Sequence, residues 1–166
     1  MSENLKAIAE FLIRDLEYEI SLTKSVFGAV PADKLDYAPD AKSKTALGLL
    51  RHITLEDEWL LNAAADGKLA DPPNDSDVCG LMSPSDAVAC YAEKIPAAVA
   101  RVRALTEEEL GREIDFMGKF KIPAIGLLSL AVRHSVHHRG QLSTYLRPMG
   151  GKVPGIYGPT ADLPWS

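Results

Sequence analysis

The chain has 166 residues and a net charge of −5, with 46% hydrophobic and 25% charged residues. These are ordinary values for a globular protein, and the length suits one domain over residues 1–166. The acidic balance provides no electrostatic footprint for nucleic acid or for an anionic membrane surface. We therefore expect neither as a partner.

The N-terminus and the cysteines indicate the compartment. The chain begins MSENLKAIAEF, without the basic start and apolar core of a signal peptide. No apolar run reaches the roughly 18 residues of a transmembrane helix. Cys79 and Cys90 form no CxxC motif and have no metal-ligand spacing. We expect a cytoplasmic protein with two reduced thiols, and a single disulfide is the alternative.

Two amphipathic helices are predicted in the first part of the chain. In the first, over residues 3–30, apolar residues recur at steps of three and four, and the helix ends before Pro31. A loop rich in proline, aspartate and alanine follows. The second helix begins near Ser43 or Thr45 and runs to Ala65, with one apolar side and an Asp-Gly stop.

A third helix and a hairpin are predicted next. The Ser-Pro pair at 83–84 suits a helix start, and the helix runs to about Leu105. Pro96 lies inside it and should kink it or mark a local break. Thr106 and the glutamates after it begin a short helical turn. Apolar residues alternate over residues 112–121, which predicts a small hairpin or an extended loop.

The last long helix follows Pro123 and reaches about Arg147. The tail over residues 152–166 is rich in glycine and proline but carries Tyr157 and Trp165, so we expect it to pack across the protein. Four long amphipathic helices with substantial connections predict an all-α, antiparallel four-helix bundle, with a small hairpin before the last long helix. The order of the helices around the bundle stays open.

The protein has four histidines, and three of them lie on the last predicted helix. Residues four apart are neighbours on a helix, so His134 and His138 can present two imidazoles to one point, as zinc-binding HExxH helices do. A useful site needs a third ligand from elsewhere. The remaining histidine, His52, lies beside the apolar stripe of the second helix. We predict that His52, His134 and His138 bind one divalent metal ion.

Simpler explanations exist for each histidine. An HxxxH pair is common by chance, and a histidine near an apolar stripe usually bonds a carbonyl in the core. A metal-free bundle with three structural histidines is therefore an alternative. Burying three neutral imidazoles without partners would, however, cost several kcal/mol. His137 lies about 100° around the helix from His138 and is expected beside the metal face.

Glu56 is the candidate catalytic residue because it follows His52 by four positions and projects to the same side. It could act as a base near the metal or as a fourth ligand. The alternative is a solvated acid within the acidic run 56–58. Arg139 and Gln141 are expected near the mouth of the site, and a surface ion pair or an amide–backbone bond is the alternative for each.

The last helix also carries a family resemblance. The sequence HSVHHRGQL at 134–142, followed by YLR at 145–147 and then Gly150 and Pro154, resembles the signature of the DinB-like family. The sequence LLRHI at 49–53 resembles the position of that family's first metal histidine. The order of the predicted elements is also similar over nearly the whole chain.

The resemblance implies an up-up-down-down-type bundle, often dimeric, with zinc or nickel held by His52, His134 and His138 and water in the remaining positions. Family members include S-transferases and isomerases that use bacillithiol, mycothiol or a similar low-molecular-weight thiol. We therefore expect a homodimeric, metal-dependent enzyme that acts on a small molecule, with thiol S-transfer ahead of hydrolysis. A non-enzymatic dimeric scaffold with a coordinatively closed structural metal is the other alternative.

Overall fold

The computed structural model describes residues 4–74 and 80–164, which form four long helices, one short helix and a two-stranded sheet. The long helices are α1 (Leu5–Gly28), α2 (Ala46–Asp66), α3 (Pro84–Arg103) and α5 (Ala124–Leu146). Between α3 and α5 lie α4 (Glu107–Gly111) and the antiparallel strands β1 (Glu113–Phe116) and β2 (Phe120–Pro123). The predicted all-α four-helix bundle with a hairpin before the last long helix is confirmed.

Polar side chains begin the helices where the sequence predicted. Asn4, Thr45 and Ser83 each accept a hydrogen bond from the backbone amide three residues later, at the starts of α1, α2 and α3. Thr106 and Glu109 form a reciprocal capping box at α4. Each cap satisfies a backbone N–H that has no partner inside the helix.

Pro96 does not break α3, which is continuous through it. The proline lies on the exposed side of the helix, while Ile95 and Val99 are buried in the core. Proline removes one backbone hydrogen bond from a helix interior. The buried apolar side of α3 keeps the helix intact, so of the two predicted outcomes the local break is wrong.

Contacts at one end of the bundle give the helix directions. The backbone amide of Leu5, at the start of α1, donates to Glu107 of α4, and Arg101 near the end of α3 bonds Asp66 at the end of α2. The hairpin leads from α4 directly into the start of α5. This end therefore holds the starts of α1 and α5 and the ends of α2 and α3.

It follows that α1 and α5 run in one direction and α2 and α3 in the other. Helix α1 packs against α3 and α5, and α2 packs against the same two helices. Around the bundle, α5 and α1 point up and α3 and α2 point down. In chain order the directions are up, down, down and up, which differs from the up-up-down-down order that the resemblance implied. The chain makes one long crossover between parallel helices, over residues 67–83, of which the structure describes 67–74 and 80–83.

The hairpin is held by its turn and by aromatic packing. Met117 and Gly118 both adopt positive φ values, of 58° and 68°, between the paired residues Phe116 and Phe120. The rings of these two phenylalanines stack with centroids 5.0 Å apart, and Trp59 of α2 packs edge-on against Phe116. The alternative of an unpaired extended loop is therefore wrong.

The C-terminal tail packs across the bundle as predicted, as far as residue 164. Ile156 packs against the core, and the Tyr157 hydroxyl donates to Glu19 at 2.7 Å. Arg139 donates to the same hydroxyl at 2.6 Å. Trp165 lies outside the described residues.

Two expectations from the sequence concern membrane spans and the cysteines. In the described ranges, no helix combines the length and the hydropathy that crossing a membrane requires. Cys90 is a free, half-buried thiol whose pKa is raised by burial. Cys79 lies outside the described residues, so the alternative of a disulfide stays untested.

Gly67 ends α2 in a left-handed conformation with a φ of 69°, and a Cβ there would clash with the side chain of Arg112. We expect Gly67→Ala to lower the free energy of unfolding by about 1 kcal/mol, measured by urea denaturation. Gly28→Ala is the control, because Gly28 also ends a helix but has an ordinary φ and no atom within 4 Å of the added Cβ. A loss of the same size in both variants would contradict the strain argument.

Candidate metal centre

The packing of α2 against α5 brings His52 together with His134 and His138. One ring nitrogen from each residue lies within 4.8 Å of the other two. The Nε2 atoms of His52 and His138 are 3.1 Å apart. Nitrogen ligands of one tetrahedral ion, with bonds near 2.0–2.1 Å, lie about 3.3 Å from each other. The three histidines singled out from the sequence therefore converge at a spacing that suits one metal ion.

The Nδ1 atom of each histidine lies beside an oxygen acceptor. The pairs are His134 with Asp57 Oδ1 at 2.8 Å, His138 with Gln141 Oε1 at 2.7 Å, and His52 with Glu56 Oε1 at 3.1 Å. For His134 and His138, the hydrogen bond at Nδ1 favours the tautomer that carries its proton there and leaves a lone pair on a neutral ring's Nε2. In the neutral form, these two rings therefore direct their Nε2 lone pairs to a common ligand.

The surroundings of His134 test whether a metal ion fits. Its Nε2 is buried and makes no hydrogen bond within the described part of the chain, although Glu56 Oε2 lies 3.4 Å away. A buried polar atom without a hydrogen bond costs about 1–3 kcal/mol. A divalent ion at the centre would use this nitrogen, and imidazole ligands suit zinc, nickel, copper and iron. The donor set therefore fits a divalent transition metal.

Glu56 is half-buried at the edge of the histidine cluster, close to His134 and His52. The imidazoles of His134 and His52 hold the pKa of Glu56 far below its usual value, so the carboxylate is ionised. The alternative of a freely solvated acid is therefore wrong for Glu56. Its catalytic role stays a prediction.

Asp57 is the functional residue that the sequence analysis missed. It is 0% exposed and accepts hydrogen bonds from His134 Nδ1 and from the Tyr91 hydroxyl, the latter at 2.7 Å. The signal was present in the helical periodicity. Asp57 follows the buried Ile53 by four positions and precedes the buried Leu60 by three, so it lies on the apolar face rather than in a solvated run.

The charges of the cluster are arranged around His134. Burial lowers the pKa of His134, but hydrogen bonding to Asp57 and the nearby Glu56 carboxylate outweigh it and raise the value to about 9. Burial, together with the positive charge of His134, lowers the pKa of His138 to about 4. Without a metal ion His134 is therefore protonated at neutral pH, and an ion that binds Nε2 would displace this proton at a place where two carboxylates stabilise positive charge.

The neighbours of His138 divide between the site and the core. Gln141 is exposed and lies at the site as predicted, and its amide nitrogen is 3.2 Å from His137 Nε2. His137 is exposed beside the cluster, also as predicted. The placement of Arg139 at the mouth of the site is wrong. Arg139 is only 1% exposed and pairs with Glu19 of α1, because one position along the helix turns the side chain by about 100°.

A cavity of about 450 Å³ lies next to His138. Its lining includes Lys42, Lys44, Leu49, Gln141, Thr144 and Tyr145. Small-molecule pockets have volumes of about 300–1,000 Å³. The cluster of imidazoles therefore has a neighbouring space large enough for a small substrate.

Comparisons with known proteins agree with the fold. The DinB family model matches residues 1–164. YjoA from Bacillus subtilis strain 168 is 32% identical over 137 residues, which cover 78% of this chain and 83% of YjoA. The crystal structure of YjoA, described as a DinB-like protein, has a TM-score of 0.67 at 26% identity and covers 93% of this chain and 95% of its own.

Two further structures share the fold. A DinB-like protein from Bacillus cereus ATCC 10987 has a TM-score of 0.74 at 23% identity, covering 89% of this chain and 97% of its own. YfiT from Bacillus subtilis has a TM-score of 0.69 at 20% identity, covering 86% and 87%. YfiT is described as a probable metal-dependent hydrolase with an unusual four-helix bundle topology. Because the DinB family model matches the chain from residue 1 to residue 164, the chain belongs to the DinB family.

Proposed function

We propose that this protein is a divalent-metal-dependent enzyme that hydrolyses a small molecule. The observation that carries the proposal is the convergence of three imidazoles, one of which, that of His138, lines a cavity of about 450 Å³. Three protein ligands leave a coordination position for water or substrate, which is the usual form of a catalytic zinc site. The description of YfiT, which shares this fold, supports hydrolysis as the reaction.

The residues of the proposed site have two roles: three would bind the ion, and two orient the imidazole rings. His52, His134 and His138 would hold the ion, with zinc or nickel as our first candidates. When bound, such an ion supplies a Lewis acid that lowers the pKa of water and polarises a carbonyl or phosphoryl oxygen. Asp57 and Gln141 accept hydrogen bonds from Nδ1 and so fix two of the rings.

Glu56 is positioned to act as the general base. Its Oε2 lies 3.4 Å from His134 Nε2, the nitrogen that would bind the ion, so the carboxylate would border the ion and a water molecule bound to it. Because its pKa is held low, Glu56 is ionised and accepts a proton rather than donating one. A carboxylate in this position can take the proton from the attacking water and pass it to the leaving group.

Two other functions use the same residues. In thiol S-transfer, which the resemblance placed first, a low-molecular-weight thiolate would take the place of water, and this reaction is our second candidate. In a dimeric scaffold, Glu56 would complete a closed site as the fourth ligand. The cavity beside His138 favours an enzyme over the scaffold. The homodimer itself stays a prediction.

The first test is the metal content of protein purified without an affinity tag. We expect elemental analysis to find about one equivalent of a divalent transition metal per chain, because three imidazoles provide one site. The reconstituted protein is then assayed with carboxylic esters, amides and phosphate esters, and separately for transfer of a thiol to an electrophile. Thiol transfer without hydrolysis would replace our first candidate with the second.

Glu56→Gln is expected to keep the metal and to lower kcat by about 100-fold or more, since general bases contribute on that order. Glu58→Gln is the matched control, because Glu58 is two residues away and pairs with Lys94 of α3. The control should retain both metal and activity. Full activity in Glu56→Gln would remove Glu56 from the mechanism, whereas loss of metal would indicate that it is a ligand.

A further inference from the structure

One polar side chain from each of the four long helices meets in the centre of the bundle. Thr23 of α1, Asp57 of α2, Tyr91 of α3 and Ser135 of α5 are each 0% exposed. The Tyr91 hydroxyl is 2.7 Å from Asp57 Oδ2 and 3.0 Å from Ser135 Oγ, which is 3.3 Å from Thr23 Oγ1. We call these four residues the polar core. The proposed mechanism uses only Asp57 among them.

The direction of each hydrogen bond in the polar core follows from the donors available. Tyr91 has one proton and gives it to Asp57, so its oxygen accepts from Ser135. Ser135 has then used its own proton and accepts from Thr23. Burial and the charge of Asp57 raise the pKa of Tyr91 well above its usual value, so the phenol keeps its proton. Every bond therefore points towards the Asp57 carboxylate.

The carboxylate receives donors at both of its oxygens. Oδ1 accepts from His134 Nδ1, and Oδ2 accepts from Tyr91. The terminal torsion of an aspartate is broad, so one hydrogen bond alone does not fix the plane of the carboxylate. The second bond, from Tyr91, fixes that plane and with it the direction of the bond to His134.

We propose that Tyr91 is a positioning residue for His134, acting through Asp57, with Ser135 and Thr23 holding the Tyr91 hydroxyl in place. The inference rests on the proposed metal site. The polar core then has a role beyond satisfying buried groups, because its hydrogen bonds converge on the carboxylate that also holds Nδ1 of His134. Partners of this kind change metal affinity by about 10- to 100-fold when they are removed.

Tyr91→Phe tests the proposal because it removes one oxygen and keeps the ring that packs edge-on against Phe27. We expect Zn²⁺ to bind about 10- to 100-fold more weakly, measured by competition with a chromophoric chelator. We also expect the visible absorption bands of the Co²⁺-loaded protein to shift. Thr54→Val is the control, since Thr54 is a buried α2 hydroxyl that bonds the Leu50 carbonyl outside the polar core. It should change neither property.

A double-mutant cycle separates positioning from a general loss of packing. Asp57→Asn alone should weaken Zn²⁺ binding at least as much as Tyr91→Phe. Because Tyr91 acts through Asp57, adding Tyr91→Phe to Asp57→Asn should change the affinity by no more than about twofold. Fully additive losses, or a Tyr91→Phe variant with wild-type affinity and Co²⁺ spectrum, would overturn the proposal.

Folding and the proposed function are controlled independently. Thermal denaturation with a chelator present reports whether each variant folds without metal. If Tyr91→Phe does not fold, Ser135→Ala, which removes the hydroxyl that donates to Tyr91, is measured in its place with a weakening of the same direction expected. Wild-type protein that binds neither Zn²⁺ nor Co²⁺ would refute the proposed function. Normal metal binding by the wild type, together with unchanged metal affinity in the variants, would refute only the role of Tyr91.

Discussion

The His134→Ala variant is expected to lose its bound metal. The substitution removes one of three imidazoles and also one of the two hydrogen-bond donors of the buried Asp57, leaving two ligands on two different helices. We expect the affinity for a divalent metal to fall on the order of 100-fold or more, since structural zinc sites derive several kcal/mol from each ligand. Elemental analysis and chelator competition measure the loss, and any metal-dependent turnover should disappear with the metal.

His137→Ala is the matched control for this variant. His137 lies on the same helix, its ring contacts that of His138 at a centroid distance of 4.7 Å, and it is exposed outside the cluster. It should retain the metal. Full metal retention in His134→Ala would refute the ligand assignment, and equal loss in both variants would point to damage to α5 rather than to the site.

The three histidines of the site could be identified from the sequence, largely because the spacing of residues along a helix is local information. Residues four apart share a helix face, which pairs His134 with His138. His52 followed because only one histidine remained. The helix starts at Thr45 and Ser83 were similarly predictable, since a hydroxyl that satisfies the first-turn amides acts over three residues.

Features that depend on contacts between helices were not predictable in the same way. The 100° step from His138 to Arg139 is a property of any helix, but whether solvent or α1 lies in that direction depends on the helix order. The single crossover between α2 and α3 sets that order. The contacts of Tyr91 and Ser135 were unpredictable for the same reason. In the sequence each is an isolated polar residue on an apolar helix face, and only the packing of the four helices shows that they hydrogen-bond to each other.

The buried Arg139 leads to the second large expected effect, in the free energy of unfolding. Glu19→Gln should lower that free energy by about 3–5 kcal/mol, the usual cost of breaking a buried ion pair by removing one partner. Glu19 is 4% exposed and Arg139 is 1% exposed, and both bond the Tyr157 hydroxyl. Arginine stays charged at any ordinary pH, so the variant buries an uncompensated cation. Urea denaturation with a chelator present measures the change without the contribution of bound metal.

Glu17→Gln is the control for Glu19→Gln, because Glu17 lies two residues away on the same helix and pairs with Arg103 at the surface. Exposed pairs contribute little, so its unfolding midpoint should stay close to that of the wild type. Equal shifts of the unfolding midpoint in the two variants would show that the buried Glu19–Arg139 pair contributes no more to stability than the exposed pair.

A double replacement separates the buried charge from the packing around it. If the loss in Glu19→Gln comes from the uncompensated guanidinium, then Arg139→Met added to Glu19→Met should recover much of it, since apolar residues of similar volume often replace a buried ion pair at little cost. Metal affinity should survive in this double variant, because Arg139 reaches the polar core only through a 3.5 Å contact with Thr23. A double variant less stable than Glu19→Gln would instead mean that the pair, together with Tyr157, holds the tail against α1 and α5 by its geometry.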